Sequence, residues 1–280
     1  MTATASERVP PSPELARRVV SGLILAFIVF ASIYTVPTFT FVVLVVALLS
    51  LWELAGLSAR KGQELVFPIA AVAVAAYVVL AGFGLLRRYE APLVAGTLIA
   101  SLALSLYGSR QGYFARSAYT LLGVLYIGKL ASYFVALRTL PGVGTVYVVA
   151  SIVLIALTDI SAMLVGTTIG RTPLSSISPR KTWEGAIGAF LVASAAGTSL
   201  AVVPGLHIPW WHGLLIGAVT SFAAQAGDLV ESALKRDARV KDAGSLLGGH
   251  GGVLDRFDSY TFGGVACYGA LFLTGHIPPH

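Results

Sequence analysis

The run VYVVASIVLIALTDISAMLVG, Val146–Gly166, is 21 residues long and carries one charged side chain, Asp159. About 20 consecutive apolar residues are needed to carry a helix across the hydrocarbon core of a bilayer. Composition decides that this is the solvent the run is built for. Only 11% of the 280 residues are charged, against about 25% in soluble proteins. So few charges cannot cover a water-facing surface. With 56% hydrophobic residues and a mean hydropathy of +0.82, the bulk of the chain must be solvated by lipid. The expected fold class is all-α, a polytopic transmembrane helical bundle.

Working outward between charge, glycine and proline breaks gives about nine such helices. They lie near Val19–Val36, Phe41–Leu57, Phe67–Leu86, Ala91–Tyr107, Ala118–Leu137, Val146–Gly166, Gly185–Val203, Trp211–Leu234 and Tyr260–Gly275. The second and fourth are short for a bilayer. Residues 1–18 read as a polar tail in which Ser12, Pro13 and Glu14 start the first helix as N-cap, first-turn proline and first-turn acid. No Ala-x-Ala pattern follows the first apolar run, so it reads as an uncleaved span. The single cysteine, Cys267, sits in an apolar run and forms no internal disulfide.

Cytoplasmic loops of membrane proteins carry the excess of Lys and Arg. With a cytoplasmic amino terminus and alternation at each of nine spans, Arg8, Arg17, Arg18, Arg60, Lys61, Arg110, Arg116, Arg171, Arg180, Lys181, Lys235, Arg236, Arg239, Lys241 and Arg256 all fall inside. Only Arg87, Arg88 and Arg138 fall outside, and Lys129 lies within a span. That bias accounts for the net charge of +6 without a nucleic-acid partner. It also puts two polar loops, 167–184 and 235–259, on one cytoplasmic face, where a soluble ligand would arrive from the cytosol.

Acids at membrane depth cost about 2.5–3.5 kcal/mol each on insertion scales, so they usually have a task. Glu53, near the cytoplasmic end of its span, reads as an interfacial or helix-pairing residue. Asp159 shares a helix face with Met163, Gly166 and Gly170, small enough to admit another helix or a ligand. It is either a packing residue or a functional one. Asp228 is followed by Glu231, Ser232, Lys235 and Arg236, a polar stripe leading from membrane to cytosol.

The stripe runs into Lys235, Arg236, Arg239 and Lys241, then GSLLGGHGGVLDRFD (Gly244–Asp258). A charge run alone is usually a solvated face or an anchor to anionic lipid. Here glycines that permit close backbone approach are followed by Asp255, Arg256 and Asp258. Carboxylates beside a glycine-rich basic loop suit a hard cation bridging phosphate oxygens, with Lys and Arg neutralising the remainder. The loop lacks the Gly-Lys-Ser/Thr of a P-loop, and no strand precedes it as in a dinucleotide fingerprint. His250 is a base or a phosphate ligand; no second His or Cys stands near it in sequence to complete a metal site.

The segment SALKRDARVKDAGSLLGGHGGVLDRFD (Ser232–Asp258) closely resembles the signature of phosphatidate cytidylyltransferases, the CDP-diacylglycerol synthases. Its fixed positions are filled by Ser232, Lys235, Arg236, Lys241, Asp242, His250, Gly251, Gly252, Asp255, Arg256 and Asp258. SPRKTWEG (Ser178–Gly185) matches a second family loop. Asp159 and Gly166 fit a third pattern, with Met163 where the family often has Tyr. The resemblance covers Asp159–Asp258, while the amino-terminal half is similar only in hydropathy.

The resemblance implies transfer of CMP from CTP to phosphatidic acid, giving CDP-diacylglycerol and pyrophosphate at the cytoplasmic side of the cell membrane. It implies metal-binding aspartates at Asp228 and Asp255, holding Mg²⁺ with room for a second metal or a monovalent ion. Asp258 would orient the metal shell or Arg256. Lys235, Arg236, Lys241 and Arg256 would hold phosphates, and His250 would shape the loop or touch a phosphate. Asp159, Ser178, Lys181, Thr182, Trp183, Glu184, Ser232, Gly251 and Gly252 would contact substrate. Trp183 either stacks on a base or sits at the membrane interface. Residues 141–280 would then be the catalytic region and 19–140 a helical amino-terminal part, with membrane lipids around both and a homodimer implied by similarity alone. Two alternatives remain: another CTP-dependent membrane lipid kinase or transferase, and a lipid flippase with a midplane site.

Overall fold

A computed structural model describes residues 13–107, 112–244, 246 and 251–277. These residues are overwhelmingly helical. The elements are α1 (Pro13–Ser32), α2 (Val36–Arg60), α3 (Phe67–Gly82), α4 (Leu86–Ser105), α5 (Tyr113–Gly123), α6 (Leu130–Arg138), α7 (Gly144–Ile169), α8 (Trp183–Gly197), α9 (Trp210–Asp237) and α10 (Leu254–Leu273). A π-helical turn, Val124–Lys129, joins α5 to α6 in one rod, and a 3₁₀ turn, Thr198–Val202, extends α8. Extended pairing among the described residues is limited to one isolated bridge, Pro173 to Thr182.

Five of these stretches are long and apolar enough to cross a membrane: Val36–Arg60, Tyr113–Arg138, Gly144–Ile169, Trp183–Val202 and Trp210–Asp237. The two runs that look short in sequence are full-length helices. The second begins five residues earlier than expected because Thr35 caps it, accepting a hydrogen bond from Thr38 N at 3.2 Å, with Pro37 in its first turn. The fourth begins at Leu86, so Arg87 and Arg88 lie in its first turn rather than in a loop. The third ends at Gly82, and Gly84 turns the chain with φ +68°.

Large apolar side chains such as Phe27, Phe41, Val72 and Phe222 point outward, between 65% and 73% exposed. That surface belongs in lipid. Inside, several hydroxyls find partners on their own helices. Ser151 donates to Tyr147 O at 2.7 Å, Thr158 to Leu154 O at 2.8 Å and Ser194 to Phe190 O at 2.6 Å. In a medium without water, a hydroxyl left unpaired costs free energy, and the carbonyl four residues back is the nearest acceptor.

The carboxyl-terminal helices α7 to α10 pack closely, and small residues explain how. Where α8 crosses α9, a Cβ added at Gly197 would lie 2.1 Å from Gly213 O, and one at Gly217 would lie 2.2 Å from Ala193 O. Where α7 meets the start of α8, Gly166 and Gly185 lie against Thr182, and a Cβ on either would come within 3.1 Å of its Oγ1. The small face that carries Asp159 therefore admits a neighbouring helix. Gly227 performs the same service for α10. A Cβ there would lie 2.7 Å from Asp258 O, so the two helices touch one residue away from Asp228.

Candidate active site

That contact brings acids from two helices together. On α9, Asp228, Glu231 and Lys235 follow at spacings of three and four, one face of the helix. On α10, Asp258 and Ser259 stand three and four residues past Asp255 and face the same neighbours. Asp228, Glu231 and Asp258 each offer a carboxylate oxygen within 4.8 Å of the others. Glu231 is wholly buried and Asp258 nearly so. Asp159 of α7 joins this group through Ser259, whose Oγ donates to Asp159 Oδ1 at 3.3 Å. Ser259 N donates to Asp258 Oδ1 at 2.7 Å.

Two lysines border the acids. Lys235 Nζ lies 2.5 Å from Glu231 Oε2 and 2.7 Å from Asp255 Oδ1. Lys181 Nζ lies 2.7 Å from Asp228 Oδ2. Five carboxylates (Asp159, Asp228, Glu231, Asp255 and Asp258) thus share two ammonium groups, an excess of three negative charges when all are ionised. Like charges this close repel strongly away from water. Hard carboxylate oxygens in such an arrangement fit a divalent cation of the Mg²⁺ type.

Asp255 stands beside the trio of Asp228, Glu231 and Asp258. Its Oδ1 takes Lys235, and its Oδ2 accepts from Ala243 N at 2.9 Å and Gly252 N at 2.7 Å. It ties the two ends of the glycine-rich loop together. Gly251 adopts φ +80°, and a Cβ there would lie 2.7 Å from Asp255 Oδ2. The close approach these glycines allow is therefore, in part, to protein carboxylates.

The second loop is a narrow hairpin. Leu174 N donates to Lys181 O at 2.7 Å, and Trp183 N donates to Thr172 O at 2.9 Å. Lys181 N closes a turn on Ser178 O at 3.1 Å. Thr182 caps α8, accepting from Gly185 N at 3.2 Å. Glu184, in the first turn of α8, accepts from Arg171 N and Thr172 N at 3.2 Å and from Thr172 Oγ1 at 2.9 Å. These bonds make Glu184 a staple that holds the hairpin, and the hairpin aims Lys181 back at Asp228. Trp183 is exposed at the rim.

The remaining expected residues lie around this centre. Ser232 is half-buried on α9, one residue past Glu231. Arg236 is exposed and donates from Nη1 to Val240 O at 3.2 Å, shaping the end of α9. Lys241 and Asp242 are exposed on the following loop. Arg256 lines an apolar cavity of about 420 Å³ together with Phe30, Val43, Phe134, Val153 and Tyr260. His250 falls outside the described residues. Outside the bundle, Lys61 pairs with Asp237 at the end of α9, and that hydrogen bond holds the Lys61 ammonium above its ordinary range.

Two residues carry more than their sequence positions suggest. Glu231 reads in sequence as one member of a stripe, yet it completes the trio. The paired spacings, Asp228 with Glu231 and Asp255 with Asp258, are the signal that points to it. Glu53 has no sequence signal beyond being a lone acid in an apolar run, and the structure buries it against the glycine-rich loop.

Residues 16–274 match the model of the cytidylyltransferase family. A protein of Bacillus subtilis (strain 168) called phosphatidate cytidylyltransferase is 45% identical over 142 residues, covering 50% of this chain and 53% of its own. Phosphatidate cytidylyltransferase 4, chloroplastic, of Arabidopsis thaliana is 40% identical over 182 residues, covering 55% and 46%. A phosphatidate cytidylyltransferase of Synechocystis sp. (strain ATCC 27184 / PCC 6803 / Kazusa) is 35% identical over 188 residues, covering 56% and 62%. The chain spans about half the length of the curated relatives it matches. With a family match that runs through nearly every helix described above, the chain belongs to the cytidylyltransferase family.

Proposed function

We propose that the protein transfers CMP from CTP to phosphatidic acid at the cytoplasmic edge of the membrane, releasing pyrophosphate and forming CDP-diacylglycerol. The observation that carries this reading is the trio of buried Glu231 and Asp258 with half-buried Asp228, bordered by Lys181 and Lys235 from separate elements. A phosphate oxygen of phosphatidate attacks the α-phosphorus of CTP. One phosphorus–oxygen bond forms, the bond to the β-phosphate oxygen breaks, and pyrophosphate carries away the electron pair. Phosphatidate is already ionised at neutral pH, so a general base is dispensable. The difficulty is bringing two anions together, and positioning with charge neutralisation supplies most of the catalysis.

Mg²⁺ bound by Asp228, Glu231 and Asp258 would draw the triphosphate in and stabilise charge on the leaving pyrophosphate. Asp255 adjoins this group through Lys235. It would serve as a further ligand to such an ion, and Lys235 would neutralise a phosphate. Lys181, held beside Asp228 by a stapled hairpin, would serve as the second cation for the phosphates. Arg256, at the apolar cavity, suits the phosphatidate head group while its tails remain in lipid. The four rods beyond the five long apolar stretches cross the bilayer as well, giving nine spans and an inward amino terminus. The crowding of Lys61, Lys181, Lys235 and Lys241 around one end of α9 supports that end as cytoplasmic.

The test is direct. Purified full-length protein in detergent, given labelled CTP, Mg²⁺ and dioleoyl phosphatidic acid, should yield labelled CDP-diacylglycerol and pyrophosphate. Asp258→Asn should fold and lose at least about a hundredfold in rate, the upper range for disturbing a metal shell. Transfer to a lipid alcohol but not to phosphatidic acid would replace the substrate. Lipid movement without CTP consumption would overturn the reading.

A further inference from the structure

Glu53 lies on α2, in the half of the chain whose sequence carries no catalytic signature. It is 2% exposed, and both of its carboxylate oxygens accept from backbone amides. Oε1 accepts from Val253 N at 3.0 Å and Oε2 from Leu254 N at 2.8 Å. Those are the first N–H groups of α10, which receives no cap from its own N-cap side chain. A helix start leaves such donors unpaired and bears partial positive charge, so a carboxylate there is doubly favoured. Here it comes from 200 residues upstream.

The glycine-rich loop closes on the same carboxylate. A Cβ at Gly244 would lie 2.3 Å from Glu53 Oε1, and one at Gly252 would lie 2.3 Å from Oε2. Glycine at both ends of the loop is thus explained by Glu53. Asp255 follows the capped amides within two residues and Asp258 about one turn further on, so the register and tilt of α10 at the acids depend on this peg. Helix pairing alone would not require it. A packing residue meets side chains of its neighbour, whereas Glu53 meets the main chain at both ends of one loop.

We infer that Glu53 is a positioning residue: it caps α10 across the molecule and holds the glycine-rich loop so that Asp255 and Asp258 face Asp228 and Glu231. This rests on the reading of those acids as a divalent-cation site. The amino-terminal helices then serve the site directly, through α2.

Glu53→Gln keeps the size of the side chain and replaces one acceptor by a donor that opposes an amide N–H. Gly244→Ala keeps Glu53 and pushes it off the amides. Both are made in the full chain in detergent and compared by hydrogen exchange of the 251–258 segment and by Mn²⁺ titration followed by electron paramagnetic resonance. We expect faster exchange at Val253 and Leu254, and Mn²⁺ half-saturation about tenfold higher in each variant, the scale for losing an outer partner of a metal ligand. Exchange in α3 and α7 should stay as in wild type, and Glu53→Asp should recover part of both losses. Unchanged exchange at Val253 and Leu254 in either variant, or unchanged Mn²⁺ half-saturation, overturns the inference. So does uniform loss of protection along the chain in Gly244→Ala, which would make Glu53 a general packing residue. Failure of the wild type to transfer CMP with Mn²⁺ still bound would defeat the proposed reaction and leave this positioning role standing.

Discussion

Lys235→Met separates the two tasks assigned to the buried lysine. The substitution keeps an unbranched stem and removes the charge. Lys235 is 15% exposed, Glu231 0% and Asp255 8%, so solvent screens this trio little. Removing one partner of a buried ion pair typically costs about 3–5 kcal/mol, because the other charge stays behind. Asp255 retains two amide donors, Ala243 N and Gly252 N, whereas Glu231 loses its cation. The loss should therefore sit at the low end, about 3 kcal/mol, or roughly 6–12 °C at the ~2–4 °C per kcal/mol of larger domains. A divalent ion among the acids would substitute for the missing charge. In thermal unfolding in detergent at pH 8, 10 mM Mg²⁺ should raise the midpoint of the variant more than that of the wild type, since the variant's acids are less neutralised and binding to the folded state stabilises it. Equal shifts in the two proteins would refute the placement of the ion beside Glu231. A variant as stable as wild type without Mg²⁺ would refute the burial argument itself.

Other outcomes follow from particular contacts. Glu184→Ala should free the hairpin from Arg171 N and Thr172 N and lower kcat severalfold with little change in unfolding midpoint, because it acts through the aim of Lys181. Lys181→Gln should raise the KM for CTP, measured at saturating phosphatidic acid, and an unchanged KM would remove Lys181 from the nucleotide. Gly213→Val should force α8 from α9, since even a Cβ there meets Gly197 O at 2.3 Å. A loss of about 1–3 kcal/mol or more is expected from such overpacking, read by the same unfolding assay.

The helices were legible in the sequence because hydropathy is a local property, and the structure places a helix on each apolar run. The ends were less so. Thr35 caps α2 at what reads as the last turn of the preceding span, and Arg87 and Arg88 look like loop residues until α4 is seen to begin before them. At the site, spacing on one helix is readable, so Asp228 and Asp258 could be singled out. Which acids meet across helices is not, because that depends on Gly227 letting α10 approach. Sequence reasoning paired Asp228 with Asp255; the structure sets Asp258 and Glu231 beside Asp228 and gives Asp255 the loop amides and Lys235. Glu53 was beyond reach, as its partners are main-chain groups 200 residues away.

The back-bonded hydroxyls of α7 and α8 bear on how the protein is made. Those hydroxyls are satisfied within their own helices, so none of them ties α7 or α8 to a partner helix during insertion. The acids of α9 have one built-in counterion, Lys235, four residues past Glu231. Asp228 waits for the hairpin ahead of α8, and α10 waits for α2. Biogenesis therefore ends with a late docking step that draws on both halves of the chain. Nascent chains halted before α10 should stay loosely held and protease-sensitive around residue 237.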